Sequence, residues 1–174
     1  MPTKLKDVFK EIKDFLGDDI LALETGISTA FFEGNEDNLS TPNIVEYLLT
    51  TEDSSLLSID IDDDAIKTCK ENMGEKLNKV NIVADDSIYF MNQLLRIKKQ
   101  YNFFWLDSSE DIEHGLKEYQ LALSLAKRPF VICIDDYNAN GSVKWRASAE
   151  ELKKDSSYWE EKFTATGLIV GYFK

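Results

Sequence analysis

Carboxylates recur at one kind of position in this sequence. Glu24, Asp60, Asp85, Asp107 and Asp135 each close a short apolar run (LALE, LLSID, NIVAD, FFWLD and VICID), and Asp62, Asp86 and Asp136 follow closely behind three of them. Such runs read as buried strands, and in an open parallel sheet ligands bind beyond the carboxyl ends of the strands, where adjacent loops splay apart. The acids therefore converge on one crevice. A second reading makes them helix caps, because a carboxylate accepts hydrogen bonds from the free amides of a helix start and suits the positive end of its dipole. Capping covers Asp62 to Asp64 well and Asp135-Asp136 poorly, since Gly141 and two asparagines follow that pair with no immediate helix signal. The single histidine, His114, is the only imidazole that could act as a general base; an ordinary pKa of about 6.5 suits removal of a hydroxyl proton at neutral pH. A surface histidine at a helix start is the competing reading.

The elements that must position these groups are legible from periodicity. Leu5, Val8, Phe9, Ile12, Phe15 and Leu16 recur at helical steps and stop at Gly17. DDILALETG, SSLLSIDID, KVNIVADDS, YNFFWLDSS and RPFVICIDDYN are five strand signals separated by helical stretches, which implies a parallel sheet. Ser40-Thr41-Pro42 marks a helix start, with a hydroxyl to cap free amides and Ile44, Val45, Leu48 and Leu49 as the buried face. Ile66, Cys69, Met73 and Leu77 define the next helix, Met91, Leu94 and Leu95 a third, and Leu116, Tyr119, Leu123 and Ala126 a fourth that ends before Pro129. A last helix holds Trp145, Ala149 and Leu152, and SYWEEKFTATGLIVGYFK reads as an antiparallel hairpin about Thr166-Gly167. Cys69 and Trp105 fall on apolar faces and are read as core.

Composition narrows the function classes. The chain of 174 residues is 43% hydrophobic, enough for a real core in a single domain over 1–174. A formal net charge of -12 repels phosphate backbones and anionic membranes, so the expected partner is a small molecule, with neither nucleic acid nor membrane. Two distant cysteines and one histidine supply neither a disulfide framework nor a Cys/His zinc site. Charges interrupt the first residues where a secretory signal needs an apolar stretch, so a cytoplasmic setting is expected.

Taken in order, Leu23-Glu24-Thr25-Gly26, Ile59-Asp60-Ile61-Asp62, Ala84-Asp85-Asp86-Ser87, Leu106-Asp107-Ser108 and Ile134-Asp135-Asp136 resemble the motifs of class I S-adenosylmethionine-dependent methyltransferases. Glu-His-x-Leu-Lys-Glu at residues 113–118 further resembles a bacterial subgroup of small members. The resemblance implies a Rossmann-like α/β fold with a seven-stranded, mostly parallel sheet in the order 3-2-1-4-5-7-6, the last strand antiparallel and helices on both faces. It also implies that S-adenosylmethionine is bound by Glu24, Thr25 and Gly26 beside the methionine portion, by Asp60 on the ribose hydroxyls with Ile61 next to it, by Asp86 and Ser87 flanking the adenine, and by Asp107. A strand-end carboxylate can accept both ribose hydroxyls, which agrees with the placement of Asp60.

Metal-dependent O-methyltransferases, which the sequence resembles at Asp107, Asp135 and Asp136, imply magnesium held by those three acids, since hard oxygen donors favour such ions. The other reading keeps them as hydrogen-bonded carboxylates with no ion. Asp107 and His114 are the candidate catalytic groups, acting on an oxygen of a small-molecule or sugar-like acceptor. The sequence departs from the family where Gly26 is followed by ISTAFFEGNEDNL instead of a compact glycine-rich turn. That stretch, with Phe31 and Phe32, is either a lid or substrate loop, or the mark of a non-catalytic binding module with a degenerate cofactor loop.

Overall fold

The structure is a computed structural model that describes residues 4–27, 39–109, 111–137, 145–162 and 167–174. Strands β1 (Leu21–Thr25), β2 (Ser55–Asp60), β3 (Val80–Ala84), β4 (Tyr101–Leu106), β5 (Ala126–Ile134), β6 (Tyr158–Lys162) and β7 (Leu168–Phe173) form one sheet in the order β3-β2-β1-β4-β5-β7-β6. The first five strands pair in parallel, and β7 runs antiparallel to both neighbours. Order and direction match the sequence expectation. The residues that join β6 to β7 at 163–166 lie outside the described set.

Side chains alternate across the strands and divide the core in two. Phe103, Trp105, Val131, Cys133, Val170 and Tyr172 point to one face, where they meet helix α1 (Leu5–Leu16), the segment after β1 and helix α3 (Asp63–Met73). Phe104, Leu106, Ile132, Ile134, Ile169 and Phe173 point to the other, against α4 (Ser87–Arg96), α5 (Ile112–Leu125) and α6 (Arg146–Asp155). Both faces of the central strands are therefore apolar, which is why their sequences read as continuous hydrophobic runs and not as alternation. Cys69 and Trp105 are fully buried, as their positions predict.

Two helices differ from expectation. The segment after β1 is a single turn of α-helix, α2 (Ser40–Asn43), that passes directly into a π-turn at Ile44–Leu48; its cap position is Leu39, and the Ser40 and Thr41 hydroxyls are turned toward Glu24. In α5 the buried stripe is Gly115, Glu118, Tyr119, Ala122 and Leu125, while Ala126 already belongs to β5. Gly115 lies on that stripe because Trp145 packs against it: a β-carbon there would stand 3.0 Å from the indole ring. Trp145, read in sequence as part of the last helix, stands at its cap position and is fully buried between α5 and the sheet. No helix among the described residues is long and apolar enough to cross a membrane.

Gly171 of β7 sets how closely α6 approaches the sheet. A β-carbon at that position would lie 2.7 Å from Leu152 Cδ2 and from Leu152 Cγ. Gly171→Ala is expected to destabilise the fold by about 1–3 kcal/mol through overpacking, and Leu152→Val in the same chain to recover part of that loss, as measured by denaturant unfolding. A neutral Gly171→Ala would show that α6 rides higher than described.

Candidate active site

Strand β1 ends in two buried carboxylate clusters, one on each face of the sheet. Glu24 is fully buried toward α2, where it accepts hydrogen bonds from Ser40 (2.6 Å), Thr41 (3.0 and 2.9 Å) and Ser58 of β2 (2.7 Å). The next residue, Thr25, faces the opposite way and donates to Glu118 of α5 at 3.0 Å. Glu118 is also fully buried, and it further accepts from Ser87, from Ser108 at 2.5 Å and from His114 Nε2 at 3.2 Å. Burying a carboxylate is unfavourable unless donors replace its water, and hydroxyls from five different elements and loops supply them.

Gly26 follows with φ of 82°, a left-handed backbone that glycine adopts without penalty. A β-carbon there would stand 2.3 Å from the carbonyl oxygen of Asp107, so its absence lets the ends of β1 and β4 close on one another. The Asp107 amide donates to Thr25 O at 2.9 Å and the Gly26 amide to Ile59 O at 3.0 Å, which continues the pairing one step past each strand. The sheet order reverses between β1 and β4, where an open α/β sheet offers its ligand crevice.

Beside this junction lies a cavity of about 230 Å³. Ile59, Asp60 and Ile61 form one wall, Asp85, Asp86 and Ser87 a second, and Ser108, Ser109 and His114 close it. Asp60 is held by two amides, Ile27 N–H to Oδ2 (2.7 Å) and Asp62 N–H to Oδ1 (2.8 Å), and its carboxylate retains lone pairs for further donors. Ile61 is 75% exposed, an apolar side chain open beside a carboxylate. Asp86 caps α4 through Tyr89 N–H at 2.8 Å, and Asp85 accepts from the Asp86 amide at 2.8 Å. The capping reading and the crevice reading thus both hold for Asp86.

The structure separates the sequence candidates. Asp60, Ile61, Asp86, Ser87 and His114 share the cavity; Glu24 and Thr25 do not line it, because each is turned into its own buried cluster. Glu24 braces α2 through the Ser40 and Thr41 hydroxyls. His114 stands on the wall with Asp86 and Ser87, with Nε2 2.9 Å from Ser87 Oγ. Glu118 and Ser108 were missed: the signal for Glu118 was its place on the apolar stripe of α5. Phe31, Phe32 and the rest of 28–38, and residues 138–144, lie outside the described set.

Asp107 and Asp135 stand at the ends of β4 and β5, with Asp136 following. Among the described residues no group of three or more His, Cys, Asp or Glu side chains is placed to hold an ion. Asp135 Oδ1 accepts the Asp136 amide at 2.9 Å, and Asp136 has φ of 56°, so the pair forms a local turn closed by its own first carboxylate. The magnesium expectation is not supported by this arrangement.

Solved structures share this architecture. The chain is similar to the O-methyltransferase from Bacillus cereus in complex with S-adenosylhomocysteine, with a TM-score of 0.72 at 16% identity over 98% of this chain and 80% of that one. The chain has the methyltransferase fold. A methyltransferase from Geobacter sulfurreducens superposes with a TM-score of 0.70 at 9% identity, covering 97% of this chain and 77% of that one. The Methanococcus jannaschii fibrillarin pre-rRNA processing protein gives 0.61 at 14% identity, over 90% and 67%. No protein-family model and no curated protein matches the sequence. The first two of these neighbours are methyltransferases by name, as the strand-end motifs of this chain lead one to expect of its fold. Because one of them is a pre-rRNA processing protein, the fold does not exclude nucleic acid, and that expectation rests on charge alone.

Burial raises the Glu24 pKa to about 7, against the opposing pull of the Ser40, Ser58 and Thr41 hydroxyls and with a smaller push from the charge of Asp60. A carboxyl whose folded pKa lies above its unfolded value contributes stability that is complete below the unfolded value of 4.5 and is lost as pH rises through about 7. Replacing Glu24 with Gln removes that titration. Wild type is expected to lose up to about 3 kcal/mol of unfolding free energy relative to Glu24→Gln between mildly acidic and mildly alkaline pH, read by chemical denaturation. Parallel pH profiles for the two proteins would contradict the assignment.

Proposed function

We propose that the chain is an S-adenosylmethionine-dependent methyltransferase acting on an oxygen of a small-molecule acceptor. The observation that carries this reading is the cavity at the ends of β2, β3 and β4, where an amide-oriented carboxylate, Asp60, stands beside an exposed apolar side chain, Ile61. That pairing suits a nucleoside: the carboxylate accepts two adjacent ribose hydroxyls, and the isoleucine covers the flat face of the base. The residues present therefore fit the nucleoside half of the cofactor, with Asp60 on the ribose and Ile61, Asp86 and Ser87 around the base. When bound, the cofactor supplies an electrophilic methyl on a sulfonium, so that an O–CH₃ bond forms as the S–CH₃ bond breaks.

The chain's own contribution is position. Asp107 lies at the reversal of strand order, locked to β1 by its amide and by the missing β-carbon of Gly26, and we assign it to orient the acceptor hydroxyl and take its proton. His114 is assigned to the base side of the cavity. The acidic balance of 32 Asp and Glu against 20 Lys and Arg supports an uncharged or cationic small acceptor over a polyanion.

Asp60→Ala is expected to weaken S-adenosylhomocysteine binding by roughly tenfold or more in isothermal titration, because hydrogen bonds to a charged group contribute about 1.5–3 kcal/mol, with circular dichroism unchanged. Transfer of labelled methyl to a panel of phenols, sugars and a structured RNA identifies the acceptor class. Methylated RNA with unmodified small molecules would overturn the acceptor proposal; binding without transfer to any acceptor would favour a binding module.

A further inference from the structure

We propose that His114 determines base specificity in this cavity, accepting a hydrogen bond from the 6-amino group of a purine through Nδ1 and thereby selecting an aminopurine over a 6-oxopurine. The inference rests on the nucleoside reading given above and names the group that discriminates among nucleosides.

Ser87 Oγ donates to Glu118 Oε1, and a hydroxyl has one proton to give, so in its 2.9 Å contact with His114 Nε2 the serine must accept. Nε2 therefore carries the hydrogen, and that same nitrogen lies 3.2 Å from Glu118 Oε1. With Nε2 committed, the neutral ring has its lone pair on Nδ1, which makes no hydrogen bond among the described residues. Glu118 is held in turn by Thr25 and Ser108, so the tautomer is fixed by a buried network that reaches β1 and the end of β4. His114 lines the cavity with Ser87, Ser108 and Ser109, and its side chain is 22% exposed.

The same geometry excludes a nucleophilic reading of the serine, histidine and glutamate. A relay needs the acid on one imidazole nitrogen and the hydroxyl on the other, and here both contacts fall on Nε2 with the hydroxyl as acceptor.

Protonation reverses what His114 offers. Glu118 and Asp111 on its own helix and cap, Asp86 before α4, and Asp85 and Asp60 across the cavity surround the ring with carboxylates, whereas the β4 end presents the hydroxyls of Ser108 and Ser109. The hydrogen bond to Glu118 is the largest influence and raises the histidine pKa, burial opposes it, and the charges of Glu118, Asp86 and Asp111 add to the rise. Once charged, both ring nitrogens donate, and Nδ1–H suits a 6-oxo group. The preference should therefore weaken or invert as pH falls through the raised histidine pKa.

The test is isothermal titration of the full chain with S-adenosylhomocysteine and S-inosylhomocysteine across about pH 5 to 8, the interval in which histidine changes charge. The ratio of the two affinities cancels effects of pH on the fold. At the alkaline end the adenosyl compound should bind about three- to tenfold tighter, the value of one neutral hydrogen bond, with the ratio falling on acidification. His114→Phe should abolish the preference, and His114→Gln, which does not titrate, should abolish its pH dependence. A wild-type ratio that is flat across this range, or one unchanged in both variants while both ligands bind, overturns the inference and leaves the nucleoside reading intact. Failure of wild type to bind either ligand removes both. The wild-type titration stands even if a variant does not fold.

Discussion

The rest of the structure depends on how the end of β1 satisfies two buried carboxylates. Glu24 and Thr25 are neighbours in a strand and so face opposite sides of the sheet. One side chain gathers hydroxyls from α2 and β2; the other reaches Glu118, which gathers them from Ser87, at the start of α4, and from Ser108, just beyond β4. A carboxylate without donors in such a place is costly, so the partners are obligatory, and they arrive from five different parts of the chain. The result is a strand end held from both faces, with Gly26 passing between them toward the loop. The cavity wall at Ser87, Ser108 and His114 is the outer surface of the second of these clusters, so its shape is set by a buried network and not by exposed loops alone.

This arrangement separates support from binding. Glu24, in the first strand-end motif, holds α2 in place; Asp60 and Ile61, one strand away, face the cavity. The π-turn after α2 is consistent with the same division, because the helix start is positioned by its hydroxyls on Glu24 while the apolar residues Ile44, Val45 and Leu48 still reach the core.

Much of the fold was legible because it is written in local patterns. Five apolar runs, the intervening helical spacing and a closing β-prone pair lead directly to the observed strand order once the family resemblance is noted. The candidate site was legible only in part. Asp60, Ile61, Asp86 and Ser87 share a cavity because strand ends align, which sequence can anticipate. Glu118 was hidden because a charged residue in a helix is normally taken for the solvated face; its partner Thr25 is 93 positions away, and no spacing rule spans that distance. The placement of Asp107, Asp135 and Asp136, which does not group them to hold an ion, was hidden for a related reason. Position at a strand end does not fix where a side chain is engaged, and Asp135 is used by the amide of its own neighbour.

The measurement that bears most directly on this account is a crystal structure of the chain with S-adenosylhomocysteine at saturating concentration. The account expects the ribose hydroxyls on the Asp60 carboxylate, the base between Ile61 and the wall formed by Ser87 and His114, and Glu24 still enclosed by Ser40, Thr41 and Ser58. A nucleoside bound elsewhere, or Glu24 released from its hydroxyls to meet the ligand, would contradict it.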